Sequence, residues 1–461
     1  MQVTPELLAH HDRPGPRYTS YPTAVEFAED FGPADYTPRL DAASQLTVTP
    51  LSLYVHLPFC QARCSFCGCH VVVTKNTSLA DVYLDRLVKE AEMVSHRLGE
   101  RTTLHQYHWG GGTPTYYSPD DLARLHTTLM GMFDMAPGAE VAIEVDPRVT
   151  TVEHLEVLRG LGFNRLSMGI QDFDPTVQDL IGRHQTVEEA VELHTAARKL
   201  GFESINFDLI YGLPGQTDES FANTLQQVTE LMPDRLAVYS FAYMPSKVTQ
   251  QIRIDDSKLP DRDTKFRLLT AAVDGLVGAG YEQIGMDHFA LPGDDLTTAR
   301  AKGTLSRNFM GYTAKRAPDV VAIGTSGISD VQGAYAQNHK RMTDYYGSVD
   351  AGELPIERGI ALSPDDLVRR HVITELMCNG KVDSVDVETR FGISFADYFS
   401  AELAALAAPG GAIDEGLVEV SDTELQATEL GELFIRNVAM DFDAYMAAHR
   451  KSAKTHFSRT V

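Results

Sequence analysis

Runs of apolar residues alternate along the chain with stretches in which apolar positions return every three or four residues. The apolar runs fall at 51-58, 104-110, 139-146, 165-171, 203-212 and 235-241, and the helix-period stretches near 78-99, 118-133, 151-162, 186-200, 217-231 and 263-279. This alternation predicts parallel strands joined by crossover helices, and six such units suit an α/β fold of the partial TIM-type (β/α)6 kind. In such a barrel the functional groups collect at the carboxyl ends of the strands. The chain places its polar and glycine-rich segments there: a cysteine loop after the first run, Gly110-Gly111-Gly112-Thr113-Pro114-Thr115 after the second, Glu144-Val145-Asp146-Pro147 at the third, Gln171-Asp172 at the fourth, and Asp208 with Tyr211-Gly212-Leu213-Pro214 at the fifth.

The flanks read differently. Pro14, Pro16 and Pro22 discourage a helix near the start, so residues 1-50 are expected to form an irregular N-terminal arm. Residues 281-345 are less regular. Past residue 360 the pattern turns helical, with Pro364-Asp365-Asp366 as a helix start and Gly416-Leu417-Val418-Glu419-Val420 as part of a small hairpin. The expected organisation is therefore an arm (1-50), a barrel and its extension (51-359), and a smaller, mainly helical C-terminal domain (360-461). A length of 461 residues and a hydrophobic fraction of 43% suit a large domain with an appendage.

Acidic residues outnumber basic ones 64 to 40, a formal charge of -24, which opposes general electrostatic binding to nucleic acid or to an anionic membrane. The start, Met1-Gln2-Val3-Thr4-Pro5-Glu6, lacks the basic and apolar regions of a secretory signal, and no apolar run is long enough to span a membrane. A cytoplasmic, reducing location is expected.

Four of the five cysteines fall within ten residues, as Cys60, Cys64, Cys67 and Cys69. The spacing C-x3-C-x2-C on a loop after a strand aims three thiolates at one point, which suits a 4Fe-4S cluster. A structural zinc site usually draws its ligands from separated pairs, and a chain this long with five cysteines is no disulfide scaffold. The spacing resembles that of the radical S-adenosylmethionine (SAM) enzymes, in which the fourth iron is left to the amino and carboxylate groups of SAM.

The other strand-end groups suit ligand binding, each with a plainer structural reading beside it. Glycines at 110-112 let backbone approach a ligand, or merely make a tight turn. Glu144 can accept from an amino group or a ribose, or cap the next helix; Asp146 is divided between the two roles. Gln171, Arg183 and Asp208 form a polar set able to hold a second zwitterion, although surface pairing would also account for Arg183. Asp287-His288 reads as a structural pair, and Cys378 as a small buried hydrophobe.

Taken together, these residues resemble the oxygen-independent coproporphyrinogen III oxidases, radical SAM enzymes of anaerobic haem (porphyrin) biosynthesis. The resemblance runs through Arg17-Tyr18-Thr19-Ser20-Tyr21-Pro22-Thr23, Tyr54-Val55-His56-Leu57-Pro58-Phe59-Cys60, Trp109-Gly110-Gly111-Gly112-Thr113-Pro114-Thr115, Arg165-Leu166-Ser167-Met168-Gly169-Ile170-Gln171-Asp172-Phe173, Gly285-Met286-Asp287-His288-Phe289, Arg358-Gly359-Ile360-Ala361-Leu362 and Phe457-Ser458-Arg459. It implies Cys60, Cys64 and Cys67 as cluster ligands, with Cys69 beside the cluster. It implies Tyr54, Phe66, Gly111, Glu144 and Ile328 around a first SAM, and Gly112, Thr113, Gln171, Arg183, Asp208 and Ala242 around a second. The implied reaction is oxidative decarboxylation of two propionates of coproporphyrinogen III to vinyl groups, giving protoporphyrinogen IX. A reductase or flavodoxin-type electron donor and a monomeric chain accompany that reading. His70 departs from the usual small polar residue after Cys69, and is expected to be without effect. Two rivals share the scaffold, a haem chaperone and an anaerobic haem-degrading methyltransferase. Cys69 and the 17-22 segment count against the chaperone, and full-length similarity counts less strongly against the methyltransferase.

Overall fold

The apolar run Leu51–Leu57 (β1) is buried along nearly its whole length, as a strand covered on both faces of a parallel sheet must be. The computed structural model describes residues 3-451 and 457-460, so the outermost residues of the expected arm and C-terminal domain (1-2, 452-456 and 461) lie outside the described residues. After β1 come Thr103–Gly111 (β2), Asp134–Val145 (β3), Arg165–Gln171 (β4), Ser204–Tyr211 (β5) and Arg235–Ser240 (β6). Each lies parallel to the one before, in sequence order. The six strands are those the apolar runs predict.

Helices Ser78–Leu98, Pro119–Met130, Val152–Gly160, Val187–Leu200 and Asp218–Leu231 make the crossovers. Three of them start sharply because Thr151, Thr186 and Thr217 each accept from the N–H three residues on. Their apolar faces and the strands form one core in which Trp109, Tyr107, Phe163 and Phe207 are fully buried.

The sheet extends beyond six strands. On the β6 side, His288–Ala290 (β8) pairs antiparallel with β6, and Glu282–Ile284 (β7) lies outside it. On the other side, Asp319–Ile323 (β9) runs parallel to β1 and is followed by the antiparallel strands Ile328–Val331 (β10), Ala334–Asn338 (β11) and Ile356–Ala361 (β12). The order is β12-β11-β10-β9-β1-β2-β3-β4-β5-β6-β8-β7. The added strands are short, and so leave little periodic signal in residues 281-345.

Beyond β12 the chain is mainly helical, opening with Pro364–Asn379, and carries a small sheet of Lys381–Asp383, Val418–Val420 and Glu424–Ala427. Its apolar cluster takes in Leu8, Tyr18 and Tyr21 from the arm. The arm is held by polar bonds as well: Tyr18 donates its hydroxyl to Asp443 at 2.9 Å, and the buried Arg436 donates to the carbonyls of Gly15 and Pro16 at 2.6 and 3.1 Å.

A second clamp joins the arm to the sheet. Arg101 is fully buried, with Nη1 2.5 Å from Asp319 Oδ2 at the start of β9, and donates to the carbonyls of Ala43 and Thr49. Truncating one member of a buried ion pair strands the other charge, which costs about 3–5 kcal/mol. Arg101→Met is therefore expected to lower stability by about that amount in urea unfolding, and a loss under about 1 kcal/mol would show that the pair is not what joins them.

Candidate active site: a cysteine loop against a glycine turn

The chain leaves β1 through Pro58 into a loop whose ends are tied by a short parallel pairing of Phe59–Cys60 with Val72–Val73. Cys60, Cys64, Cys67 and Cys69 line one side of a cavity of about 480 Å3. Its other walls come from the carboxyl ends of β2 to β6, and include Gly111, Gly112, Thr113, Glu144, Gln171, Arg183 and Asp208, with Phe66 from the cysteine loop itself. Twelve of the fifteen residues singled out above thus face one space.

The other three are not part of its wall. Tyr54 sits within β1, its ring stacked on His108 and its hydroxyl 3.1 Å from His56 Nδ1. Ile328 begins β10, on the far side of β9 from β1. Ala242 lines a neighbouring cavity of about 780 Å3, and its carbonyl accepts from Gln251.

The glycine turn is shaped by close approach. A β-carbon on Gly110 would stand 2.7 Å from Glu144 Oε1, one on Gly111 2.5 Å from the His56 ring, and one on Gly112 2.6 Å from the Pro58 carbonyl. Gly111 also has φ +112, which disfavours any side chain. Without those carbons, Gly112 N–H reaches Leu57 O and Thr113 N–H reaches Phe59 O, both at 2.9 Å. Gly111 N–H donates to Glu144 Oε2 at 3.0 Å.

His56 completes the join between turn and loop. Its Nε2 lies 3.1 Å from the His70 carbonyl, which can only accept, so Nε2 carries the proton and Nδ1 accepts from the Tyr54 hydroxyl. Burial lowers its pKa to about 4, which keeps the ring neutral in this role. What His56 grips at residue 70 is backbone, so the tie does not depend on which side chain stands there.

Charge is concentrated at Cys64. Asp146 receives Arg148 at 2.6 Å and Arg183 at 3.0 Å, and the same two guanidiniums stand 3.7 and 3.8 Å from Cys64 Sγ. Both guanidiniums direct an N–H at that sulfur. Burial pushes the Cys60 thiol up to about 11, so a cation arriving there must displace a proton. Cys67 and Cys69 share a hydrogen bond that lowers Cys67 and raises Cys69.

The carboxylates differ in state. Burial works against an ionised Glu144, but hydrogen bonds from His108 and from Gly111 N–H outweigh it and hold the carboxyl below its ordinary value. Burial, with the Glu144 charge adding to it, raises Asp208 to about 6, although Ser167 and Asn206 donate to it at 3.0 and 2.8 Å.

Arg148, Gln250 and Gln251 escaped the sequence reading. Both glutamines hold the cysteine loop from outside the barrel: Gln250 donates to Cys67 O, and Gln251 Nε2 to Phe66 O at 3.2 Å. They lie in the short helical turn Thr249–Arg253, where nothing in the spacing marks them out. Arg148 could have been noticed two residues beyond Asp146.

The residues present fit a cluster and a zwitterionic cofactor. Four thiols line one cavity, a turn free of β-carbons forms its wall, and Arg183 Nε is a buried donor with no acceptor among the described residues.

Comparison with known proteins agrees. The Radical SAM superfamily profile matches residues 54-228, and the HemN C-terminal domain profile matches residues 362-434. The chain is 46% identical over 457 residues to the oxygen-independent coproporphyrinogen III oxidase of Salmonella typhimurium, covering 99% of this chain and 98% of that one. The chain belongs to the oxygen-independent coproporphyrinogen III oxidase family. The oxidase of Pseudomonas aeruginosa is 43% identical over 462 residues, covering 99% of this chain and 98% of its own. The solved Escherichia coli coproporphyrinogen III oxidase (HemN), described as a radical SAM enzyme, superposes with a TM-score of 0.89 at 46% identity, over 93% of this chain and 97% of that one. Membership of the family carries with it a 4Fe-4S cluster and SAM.

The close approach at Gly112 makes a prediction. Gly112→Ala would force its new carbon against the Pro58 carbonyl and displace Phe59–Cys60, whereas Gly68→Ala meets nothing within 4 Å. Iron bound after anaerobic reconstitution is expected to fall severalfold in Gly112→Ala and to stay at the wild-type level in Gly68→Ala. Equal iron in both variants would contradict the role given to the turn.

Proposed function

We propose that the chain catalyses the oxidative decarboxylation of two propionates of coproporphyrinogen III to vinyl groups, giving protoporphyrinogen IX. The observation that carries this reading is the full-length identity to named oxidases, together with three thiols and a glycine turn on one cavity. Cys69 on that cavity and a docked 17-22 segment favour the oxidase over a haem chaperone.

Cys60, Cys64 and Cys67 would hold the cluster, with Arg148 and Arg183 beside Cys64. With cluster and SAM in place, the site would have the radical chemistry needed to remove a hydrogen atom from the propionate carbon next to the ring. Glu144, ionised and already accepting from Gly111 N–H, suits the ammonium of that SAM. Tyr54, close enough to Glu144 and Cys69 to feel their charge, and Ile328 would contact the same SAM. Arg183 and Asp208, opposite in charge and on the same cavity, suit the carboxylate and amine of a second SAM, with Gly112, Thr113 and Gln171 beside them and Ala242 at the edge of the next cavity. The reacting carboxylate leaves as carbon dioxide and the remaining electron passes to an acceptor, so no protein acid or base drives the bond breaking. The protein's work is to position the propionate and exclude water.

The chain is read as an arm (1-50), a barrel with its extension (51-359) and a C-terminal domain (360-461). No helix among the described residues is long and apolar enough to cross a membrane. A cytoplasmic monomer reduced by a reductase or flavodoxin-type donor completes the reading.

Anaerobic turnover with SAM, a low-potential reductant and coproporphyrinogen III is expected to release carbon dioxide, 5'-deoxyadenosine and protoporphyrinogen IX. Haem binding without turnover would favour the chaperone. Equilibrium dialysis of cluster-loaded protein against SAM is expected to saturate at two molecules per chain, and at one in Asp208→Asn. Saturation at one in the wild type would remove the second SAM.

A further inference from the structure

The arm brings to the barrel mouth an arginine that neither the cluster nor SAM uses. Arg17 Nη2 donates to the carbonyl of Ser240, at 2.6 Å, where β6 ends. The residue before, Tyr239, lines the cysteine cavity, while Phe241 and Ala242 line the cavity of about 780 Å3. The guanidinium therefore stands at the partition between the two spaces. Its side chain keeps 28% exposure, and among the described residues the Ser240 carbonyl is its one hydrogen-bond acceptor. Asp287 Oδ2 is 3.9 Å away, too far for a hydrogen bond.

Positive charge gathers around it. Arg307 donates to the Arg17 carbonyl at 2.6 Å and lies 3.6 Å from the same Asp287 oxygen. Asp287 is shared a third time, through its other oxygen, with His288 Nδ1 at 2.7 Å. Arg436, behind the arm, is bonded to backbone carbonyls, with no carboxylate in salt-bridge range among the described residues. On the wall of the larger cavity, Lys265 Nζ donates to Phe241 O at 3.2 Å. Burial and the nearby Arg17 charge pull Arg436 down to about 9 and Lys265 to about 8. Crowding cations in partly desolvated positions is unfavourable unless an anion joins them.

The proposed substrate supplies such an anion. Coproporphyrinogen carries four propionates, and only two are decarboxylated, so at least one unreacting carboxylate must be seated while another meets the radical. We propose that Arg17, backed by Arg307 and assisted by Lys265, anchors an unreacting propionate of the porphyrinogen at the partition between the two cavities. The inference rests on the oxidase reading. It gives Arg17 a substrate-binding role and makes the docked arm part of the binding site.

The test uses coproporphyrin III, the fluorescent oxidised form, and its uncharged tetramethyl ester, each titrated anaerobically into cluster-loaded protein. Arg17→Gln is expected to weaken binding of the free acid about tenfold or more and to leave ester binding unchanged; Arg17→Lys is expected to recover part of the loss, and Arg17→Gln with Lys265→Gln to lose more. The loss should shrink as salt rises, because the wild type weakens toward the variant. Undiminished binding of the free acid by Arg17→Gln would overturn the proposal. So would equal losses for acid and ester, which would mark Arg17 as a clamp for the arm only. Failure of the oxidase reading shows separately, in wild-type protein that releases no carbon dioxide from coproporphyrinogen.

Discussion

No β-carbon fits at Gly111 or Gly112, one on Gly110 would push the Glu144 carboxylate aside, and the rest of the site depends on that close approach. Because the turn at the end of β2 is bare, the Glu144 carboxylate, the His56 ring and the first step of the cysteine loop all come within contact of the same short backbone. The two N–H bonds from Gly112 and Thr113 then carry the end of β2 onto the end of β1. A loop that would otherwise be free to turn its thiols away is thereby given a fixed base, and the thiols are aimed into the cavity before any iron arrives.

The electrostatics build on this base. Asp146 fixes two guanidiniums that would repel each other if left alone, and the pair stands beside the buried Cys64 sulfur. One carboxylate at a strand end thus does indirect work on a thiol from another strand. The neutral His56 ring adds a hydrogen-bonded strut without adding charge. The two guanidiniums stand at the Cys64 sulfur, while Glu144, held ionised, and Asp208, more easily protonated, stand across the cavity.

Much of this was legible in the chain. The six apolar runs became β1 to β6 because each strand turns at least one apolar face into the core, and the strand-end rule carried Cys60, Gly111, Glu144, Gln171 and Asp208 to one end of the strands. The less legible parts depend on tertiary contact. β9 extends the parallel set on the far side of β1 from a segment 268 residues downstream, with Asp319 against Leu51 and Ile323 against Val55, a pairing no local period encodes. Gln250 and Gln251 act on the cysteine loop from across more than 180 residues, by side chains whose type is common on any surface. Asp146 could not be assigned from spacing because its two partners lie at positions 148 and 183, one local and one remote.

The central claim is that three thiols held against the glycine turn leave one iron open for SAM. Mössbauer spectroscopy of protein reconstituted with 57Fe, recorded before and after SAM is added, tests it most directly. The account predicts that SAM changes the signal of one iron in four, which takes on the character of a site with added nitrogen and oxygen ligands. Four irons that stay equivalent and indifferent to SAM would contradict it.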